Sequence, residues 1–396
     1  MTNKIKLLLG IIILAYAGNA QQNMGPAPEA TKAEAELRFW DVPNLEPAYV
    51  SVTPENRKDG IPVGALGVDG GKKEIILEMA KKITDSIFPN YDSFLISHKG
   101  KLVFESYYKH GRINLPHPQA SATKAFTCLA LGRAIQMGYL SMDDLDKPLV
   151  HFLKDLDPTK FVEGAEKITL AKALTMRSGV RFTEDQKKEM ENNPDQLKGQ
   201  QQIQTLLSLS APITEASQSF KYQGDPTFVM QVLDAVVPGS AKDFIKTELL
   251  DKLGITNYVW STAPNGLPEA GWKVSMTSRD MVKWGTLVMN EGQWNNEQLI
   301  SKAYLKQGVN RILLTGDDDV FGGGENVSKQ GYGYYWWSAD LKHNNKKYLS
   351  TSAQGGGGQY IVLIEELDLM VVVTAHDNDN RTLQIISEYV LPAFAM

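Results

Sequence analysis

Ser121 and Lys124 stand three residues apart at the start of an apolar stretch, SATKAFTCLALGRAIQ. This spacing places two side chains on one face of a helix, about 5–6 Å apart at Cβ. Cys128, Leu131 and Ile135 continue that face, so we expect it to be buried. Burial and the positive end of the helix dipole both lower the pKa of a lysine. A neutral Lys124 can then accept the proton of Ser121, whose hydroxyl is a poor nucleophile without a base.

The pattern Ser-x-x-Lys has little specificity by itself, because it occurs again at Ser106 and Lys109. That second copy falls in a predicted strand, where residues three apart point to opposite faces and cannot act together. A non-catalytic interpretation of Ser121 and Lys124 also exists. In that interpretation the serine is a helix N-cap, and the lysine extends along apolar surface to keep its charge in water.

Several further motifs surround the pair. The segment SATKAFTCLALGRAIQMGYLSMDDLD closely resembles the nucleophile segment of the serine β-lactamase and penicillin-binding-protein superfamily. The chain looks nearest to the β-lactamase-related esterases and the 6-aminohexanoate-dimer hydrolases, and the matching features are His117, LTMRSGV (174–180), SMTSRDMVKWGTLVMNEGQWN (275–295) and GYGYYWW (331–337). The resemblance extends in order from about Tyr91 onward. It implies a serine hydrolase that needs no metal and no organic cofactor.

The second motif of this family begins with a tyrosine on a loop that faces the serine, and FKYQGDPTFVMQVL supplies Tyr222. Asp225 is a favourable N-cap and Pro226 suits a first helical turn, so Tyr222 is predicted to lie just before a helix. The resemblance implies that its phenol relays a proton to the leaving group; the alternative is a tyrosine packed on the core. Many relatives have an asparagine two residues later, where this chain has Gly224. This difference weighs against a true β-lactamase.

The third motif belongs to the strand that lines the site, in LSTSAQGGGGQYIVLIEELDL. The preferred match is Ala353-Gln354-Gly355, and Ser350-Thr351-Ser352 is the alternative. Gln354, Gly355 and Gly356 are therefore predicted to contact the substrate, because glycine lets the backbone approach closely and donate an N–H to the oxyanion. A plain hairpin loop would also explain the glycines. The lysine that holds the carboxylate of a penicillin has no counterpart here.

Composition excludes several other classes of protein. The chain has 396 residues, 42% of them apolar, with a net charge of −5 and one cysteine. Nucleic-acid binding needs a basic surface, and a disulfide framework needs more cysteines. Lys4 and Lys6 precede the apolar run LLLGIIILAYA, the pattern of a secretory signal peptide over residues 1–20. We therefore expect an exported protein, periplasmic or secreted, with no membrane span in its mature form.

Along the rest of the chain, residues 21–70 are predicted to form an extended N-terminal arm. Residues 71–396 are predicted to form one β-lactamase-like serine hydrolase domain, with a mostly helical insertion at about 125–310. Strand patterns occur on both sides of that insertion, among them GYGYYWWS (331–338) and LDLMVVVTA (367–375). The predicted fold class is α+β, an antiparallel sheet flanked by helices.

The predicted function is that of an exported serine hydrolase, which acts through an acyl-enzyme on an ester or a short amide. One alternative is a β-lactamase or D,D-peptidase that acts on cell-wall chemistry. Another is a non-catalytic binding or sensor protein that has kept the scaffold. The expected partner is a small ester, amide or peptide-like substrate, and the oligomeric state stays open.

Overall fold

The computed structural model describes residues 25–316, 323–378 and 381–395, so the predicted signal peptide lies outside the described residues. The fold is α+β, as the sequence predicted, with a large antiparallel sheet between helical layers. Within the described ranges, no helix combines the length and the apolar character needed to cross a bilayer.

The strands concentrate at the two ends of the domain, as the sequence patterns indicated. In chain order they are β1 (Tyr49–Ser51), β2 (Tyr91–His98), β3 (Lys101–Tyr107), β4 (His117–Pro118), β5 (Tyr258–Trp260), β6 (Val274–Met276), β7 (Gln293–Trp294), β8 (Glu297–Gln298), β9 (Leu313–Leu314), β10 (Val327–Tyr332), β11 (Trp337–His343), β12 (Lys346–Gly355), β13 (Gln359–Ile364) and β14 (Leu369–Ala375).

The main sheet joins the early and the late strands. Its order in the described part of the chain is β1-β3-β2-β14-β13-β12-β11-β10-β9, and neighbouring strands are antiparallel. The junction between the two groups is the pairing of β2 with β14, in which Leu95 lies opposite Val372. A separate small sheet, β4-β6-β5, lies beside the segment that leads to Ser121.

Helices fill most of the region between β4 and β9. In chain order the α-helices are α1 (Lys32–Ala35), α2 (Lys73–Thr84), α3 (Thr123–Gln136), α4 (Leu170–Leu174), α5 (Glu184–Asn192), α6 (Gln201–Leu209), α7 (Pro226–Val236), α8 (Ala241–Ile245), α9 (Ser278–Met289), α10 (Lys302–Gly308), α11 (Thr382–Ile385) and α12 (Leu391–Phe394).

Both faces of the sheet are buried. Helices α3, α7 and α9 contribute to one apolar core, which includes Leu129 and Trp284. Helix α2 and the C-terminal helices contribute to a second core, which includes Ile76 and Leu383. All six residues of β13 are buried as a result, and this explains why its sequence QYIVLI is apolar over consecutive residues. Ser121 stands where α3 meets the end of β12.

Two details differ from the sequence predictions. GYGYYWWS is not one strand: β10 ends at Tyr332 and β11 begins at Trp337, with a turn between them. At Gly333 in that turn a Cβ would lie 2.2 Å from the backbone oxygen of Gly308, which explains the need for glycine there. The predicted extended arm contains α1, and its β1 pairs with β3 at the sheet edge. The division into arm and domain stays a prediction.

Candidate active site

Ser121 lies in a short 3₁₀ turn, Ala120–Ala122, which continues directly into α3. Ala120 has a φ of +44°, a left-handed conformation that residues other than Gly, Asn and Asp rarely adopt. The Thr123 hydroxyl holds this turn by donating a 2.7 Å hydrogen bond to the backbone oxygen of Ala120. Such backbone strain costs roughly 1–3 kcal/mol and concentrates at functional sites. Here it immediately precedes the predicted nucleophile.

Lys124 lies one helical turn after Ser121, with its amine directed at the serine. Its Nζ is 2.9 Å from Ser121 Oγ and donates a second hydrogen bond, also of 2.9 Å, to the backbone oxygen of Gly271. Burial lowers the pKa of Lys124 to about 8, against a smaller opposing effect of the Glu269 carboxylate. About a tenth of the molecules therefore carry the neutral amine at pH 7. This is the charge state that a general base requires.

Tyr222 approaches the same hydroxyl from the loop before α7. Its side chain is hydrogen-bonded to Ser121, and burial, against the effect of that bond, raises the pKa of the phenol to about 12. The Lys124 amine lies 4.8 Å from the centre of the tyrosine ring. The ring also packs on Trp337, with 5.3 Å between centroids. The phenol is thus protonated at neutral pH and in contact with the serine, so it can donate a proton.

Asp225 holds the Tyr222 loop in a way that the sequence did not predict. It is the N-cap residue of α7, but its carboxylate does not cap that helix. The carboxylate instead accepts hydrogen bonds from the backbone N–H and the hydroxyl of Ser178 and from the Gln223 amide, at 2.8–3.0 Å. Burial raises the pKa of Asp225 to about 6. Through the bonds from Ser178, Asp225 therefore connects the LTMRSGV motif to the loop that carries Tyr222.

The predicted oxyanion strand ends against the turn that carries Ser121. A Cβ on Gly355 would lie 2.2 Å from the Gln119 backbone oxygen and 3.1 Å from the Ala122 backbone nitrogen, so only glycine fits. Gly356 is exposed, and a Cβ there would have no heavy atom within 4 Å. Gln354 lies on the opposite face of β12 from Gly355. Its amide nitrogen bonds the Ser352 hydroxyl, 2.8 Å away. Their roles in substrate binding stay predictions.

The second Ser-x-x-Lys copy forms no such site. The Ser106 hydroxyl donates to the backbone oxygen of Phe94 (2.8 Å) inside the sheet. The Lys109 amine, in the turn after β3, contacts the Ser86 hydroxyl (3.3 Å). The two side chains have separate partners, as predicted, but only Ser106 lies in the strand, which ends at Tyr107 before Lys109.

The profile of the Beta-lactamase family matches residues 92–391 of the sequence. The chain belongs to the beta-lactamase family. Its members include serine hydrolases that act as esterases, amidases and beta-lactamases. No curated protein matches the sequence.

Solved structures of beta-lactamase-family proteins share the fold at low sequence identity. A Bacillus anthracis protein designated a 6-aminohexanoate-dimer hydrolase has 19% identity and a TM-score of 0.60, over 86% of this chain and 89% of its own. A family VIII carboxylesterase has 12% identity and a TM-score of 0.59, over 80% and 96%. A class C beta-lactamase has 14% identity and a TM-score of 0.56, over 80% and 95%. At these identities the similarity establishes the fold alone.

Two features of this beta-lactamase-family chain escaped the sequence analysis. The first is the pair of residues that holds the Lys124 amine. The Gly271 backbone oxygen accepts a hydrogen bond from this amine, and the Gly271 N–H donates a 3.3 Å hydrogen bond to Glu269. These residues are 145 or more positions from Lys124, and no local pattern marks them.

The second is a buried carboxylate behind the nucleophile segment. One Asp92 oxygen accepts hydrogen bonds from His117 Nε2 (3.0 Å) and His376 Nδ1 (2.8 Å), and the other accepts the His110 N–H (3.0 Å). Burial by itself would raise the pKa of Asp92, but the two histidine bonds outweigh it and lower the pKa. No set of His, Cys, Asp or Glu in the described ranges has the arrangement of a metal site. An aspartate inside the apolar strand YDSFLISH was the available signal.

Proposed function

We propose that the chain is an exported serine hydrolase that forms an acyl-enzyme on Ser121 with an ester or a short amide. The observation that carries this proposal is the Lys124 amine, 2.9 Å from the Ser121 hydroxyl in a buried setting. Tyr222, hydrogen-bonded to the same hydroxyl, adds a proton donor. The neighbours designated an esterase and a dimer hydrolase act on such bonds, and this supports the choice of substrate class.

In the proposed acylation, neutral Lys124 takes the proton of Ser121 as Oγ forms a bond to the substrate carbonyl carbon. Backbone N–H groups at Ser121 and near Gly355 stabilise the negative oxygen of the tetrahedral intermediate. The bond to the leaving group then breaks. The leaving atom takes the phenolic proton of Tyr222, and Tyr222 recovers a proton from Lys124. Lys124 thereby returns to the neutral amine and Tyr222 to the phenol.

In deacylation, a water molecule attacks the acyl carbon and gives a proton to Lys124. The ester bond to Ser121 breaks, Oγ recovers a proton, and the product acid leaves. Every proton step uses side chains of the described chain. The absence of an asparagine at Gly224 and of a lysine at Ala353 favours esters or short linear amides over classical β-lactams.

The test is intact-mass labelling of the full chain with a fluorophosphonate, followed by turnover of a small panel of p-nitrophenyl esters, linear amides and nitrocefin. We expect one adduct and ester hydrolysis in the wild type, and neither in Ser121→Ala. Ser106→Ala is the matched control, because it removes the serine of the second Ser-x-x-Lys copy and should leave both intact. Tyr222→Phe should label but turn over slowly, since the leaving group loses its proton donor.

Other outcomes would select the alternatives. Nitrocefin turnover far above ester turnover would favour a β-lactamase or D,D-peptidase. Failure of every probe to label Ser121 would indicate a binding or sensor protein. Export is tested separately by N-terminal sequencing of the protein isolated from the producing cell, for which we expect a start near Gln21.

A further inference from the structure

A cavity of about 340 Å³ opens beside Tyr222 on the side of α5 and α6. Val180, Phe182, Leu206 and Phe228 supply its apolar lining. Gly224 also lines it, and a Cβ there would have no heavy atom within 4 Å, so the wall is open two residues from the tyrosine. Tyr222 lines this cavity and is hydrogen-bonded to Ser121, so the space begins one side chain away from the predicted nucleophile.

The rim of the cavity carries more positive than negative charge. Its ionisable lining residues are Arg181, Lys187, Lys221 and Asp225. The Asp225 carboxylate is already held by three donors from Ser178 and Gln223. The cavity therefore offers unmatched positive charge above an apolar floor.

The cations differ in how far their charges are already paired. Lys187 forms an ion pair with Glu184 (2.6 Å). Arg181 donates only to the backbone oxygens of Val180 (2.7 Å) and Ser217 (2.9 Å) and forms no ion pair within the described chain. Lys221 is exposed, and its side chain forms no hydrogen bond or ion pair within the described chain. Arg181 and Lys221 thus retain donors for an anion. A guanidinium is well suited to a carboxylate, because its planar donors match the two oxygens.

We propose that this cavity receives the acyl arm of the substrate, and that this arm ends in a carboxylate held by Arg181 and Lys221. The inference rests on the proposed function and narrows its substrates to half-esters or half-amides of aliphatic dicarboxylic acids and similar chains. The apolar lining accepts the methylene groups, and the rim neutralises the terminal charge.

The experiment compares two p-nitrophenyl esters that differ only in that charge: p-nitrophenyl hydrogen adipate and p-nitrophenyl methyl adipate. In the wild type at low salt we expect kcat/KM for the acid to exceed that for the methyl ester by about tenfold, the lower end for a hydrogen bond to a charged group. The ratio should fall as NaCl is raised, because ions screen the exposed cations.

Lys221→Met and Arg181→Met should each reduce the ratio, and the double variant should bring it close to one while methyl ester turnover persists. Lys221→Met keeps the test decisive if the arginine variant folds poorly, because this exposed side chain has no hydrogen bond or ion pair within the described chain to lose. Lys154→Met is the matched control; it removes an exposed charge outside the cavity and should leave the ratio unchanged.

A wild-type ratio near or below one, or a ratio that the double variant leaves intact, would overturn the inference while the hydrolase proposal stands. Absence of Ser121-dependent turnover of either ester would overturn both.

Discussion

Lys124→Met offers the sharpest test of the site, because it removes one buried amine and keeps the length of the side chain. Lys124 is 7% exposed, and burial lowers its pKa from an ordinary 10.5 to about 8. Between these two pH values the unfolded chain binds a proton that the folded chain does not. The stability of the wild type should therefore rise with pH across this window and be flat below it.

The size of the effect follows from the two pKa values. Each pH unit is worth about 1.4 kcal/mol, so the wild type should gain about 3 kcal/mol of unfolding free energy between pH 8 and 10.5. Lys124→Met lacks this titration. The variant also leaves Ser121 Oγ and the Gly271 oxygen without the amine, at a cost of about 1–3 kcal/mol that does not vary with pH. The diagnostic quantity is therefore how the difference between the unfolding free energies of the two proteins changes with pH.

The assay is chemical denaturation of both proteins at intervals from pH 7 to 10. We expect the stability of the variant relative to the wild type to decrease steadily above pH 8. Ser121→Ala is the control, since we expect it to be inactive but it retains the lysine and should follow the wild-type curve. Ester kcat/KM of the wild type should rise up to about pH 8 and level off above it, because activity depends on the pKa of the folded state alone. A flat difference between the proteins above pH 8 would mean that Lys124 is an ordinary ammonium, and the general-base argument would fail.

Three further substitutions, one of them with a matched control, test the surroundings of the site. Glu269→Gln removes the carboxylate that raises the pKa of Lys124, so the acid limb of the kcat/KM profile should move to lower pH; an unmoved limb would refute this role. Gly355→Ala places a Cβ 2.2 Å from a backbone oxygen and should cost about 1–3 kcal/mol and most ester turnover, whereas Gly356→Ala, with open space around it, should cost little. Asp92→Asn replaces one acceptor oxygen with an NH2 donor, so either the two histidine bonds or the bond from the His110 N–H is lost, and the unfolding free energy at pH 7 should fall by about 2–4 kcal/mol in urea titrations. A loss below 1 kcal/mol would contradict the assigned bonds.

Much of the fold and part of the site were predictable because they depend on local patterns. The helical i, i+3 spacing placed Ser121 and Lys124 on one face, and their 2.9 Å contact follows from that local geometry. The Asp-Pro sequence marked the start of α7 and so placed Tyr222 on a loop. The turn at Gly333 was missed, because GYGYYWWS is apolar and aromatic without interruption and conceals where one strand ends.

The role of Asp225 was misjudged for a related reason. A helix-start aspartate normally caps its own helix, but here Ser178 and Gln223, one from a distant motif and one from the neighbouring loop, satisfy the carboxylate. Likewise, the bonds among Asp92, His117 and His376 join residues up to 284 positions apart. Sequence spacing carries no information about such pairs.

The sequence by itself determined the Ser121 and Lys124 pair, the tyrosine loop, the glycines at the end of β12 and the order of helices and strands, because each depends on neighbours along the chain. Only the tertiary structure decided the charge state of Lys124. Its pKa depends on how completely water is excluded and on groups contributed from Gly271 and Glu269. Desolvation and Coulomb interaction act through space, so one copy of the Ser-x-x-Lys pattern holds a buried amine against the Ser121 hydroxyl, whereas the other gives two unrelated side chains at Ser106 and Lys109.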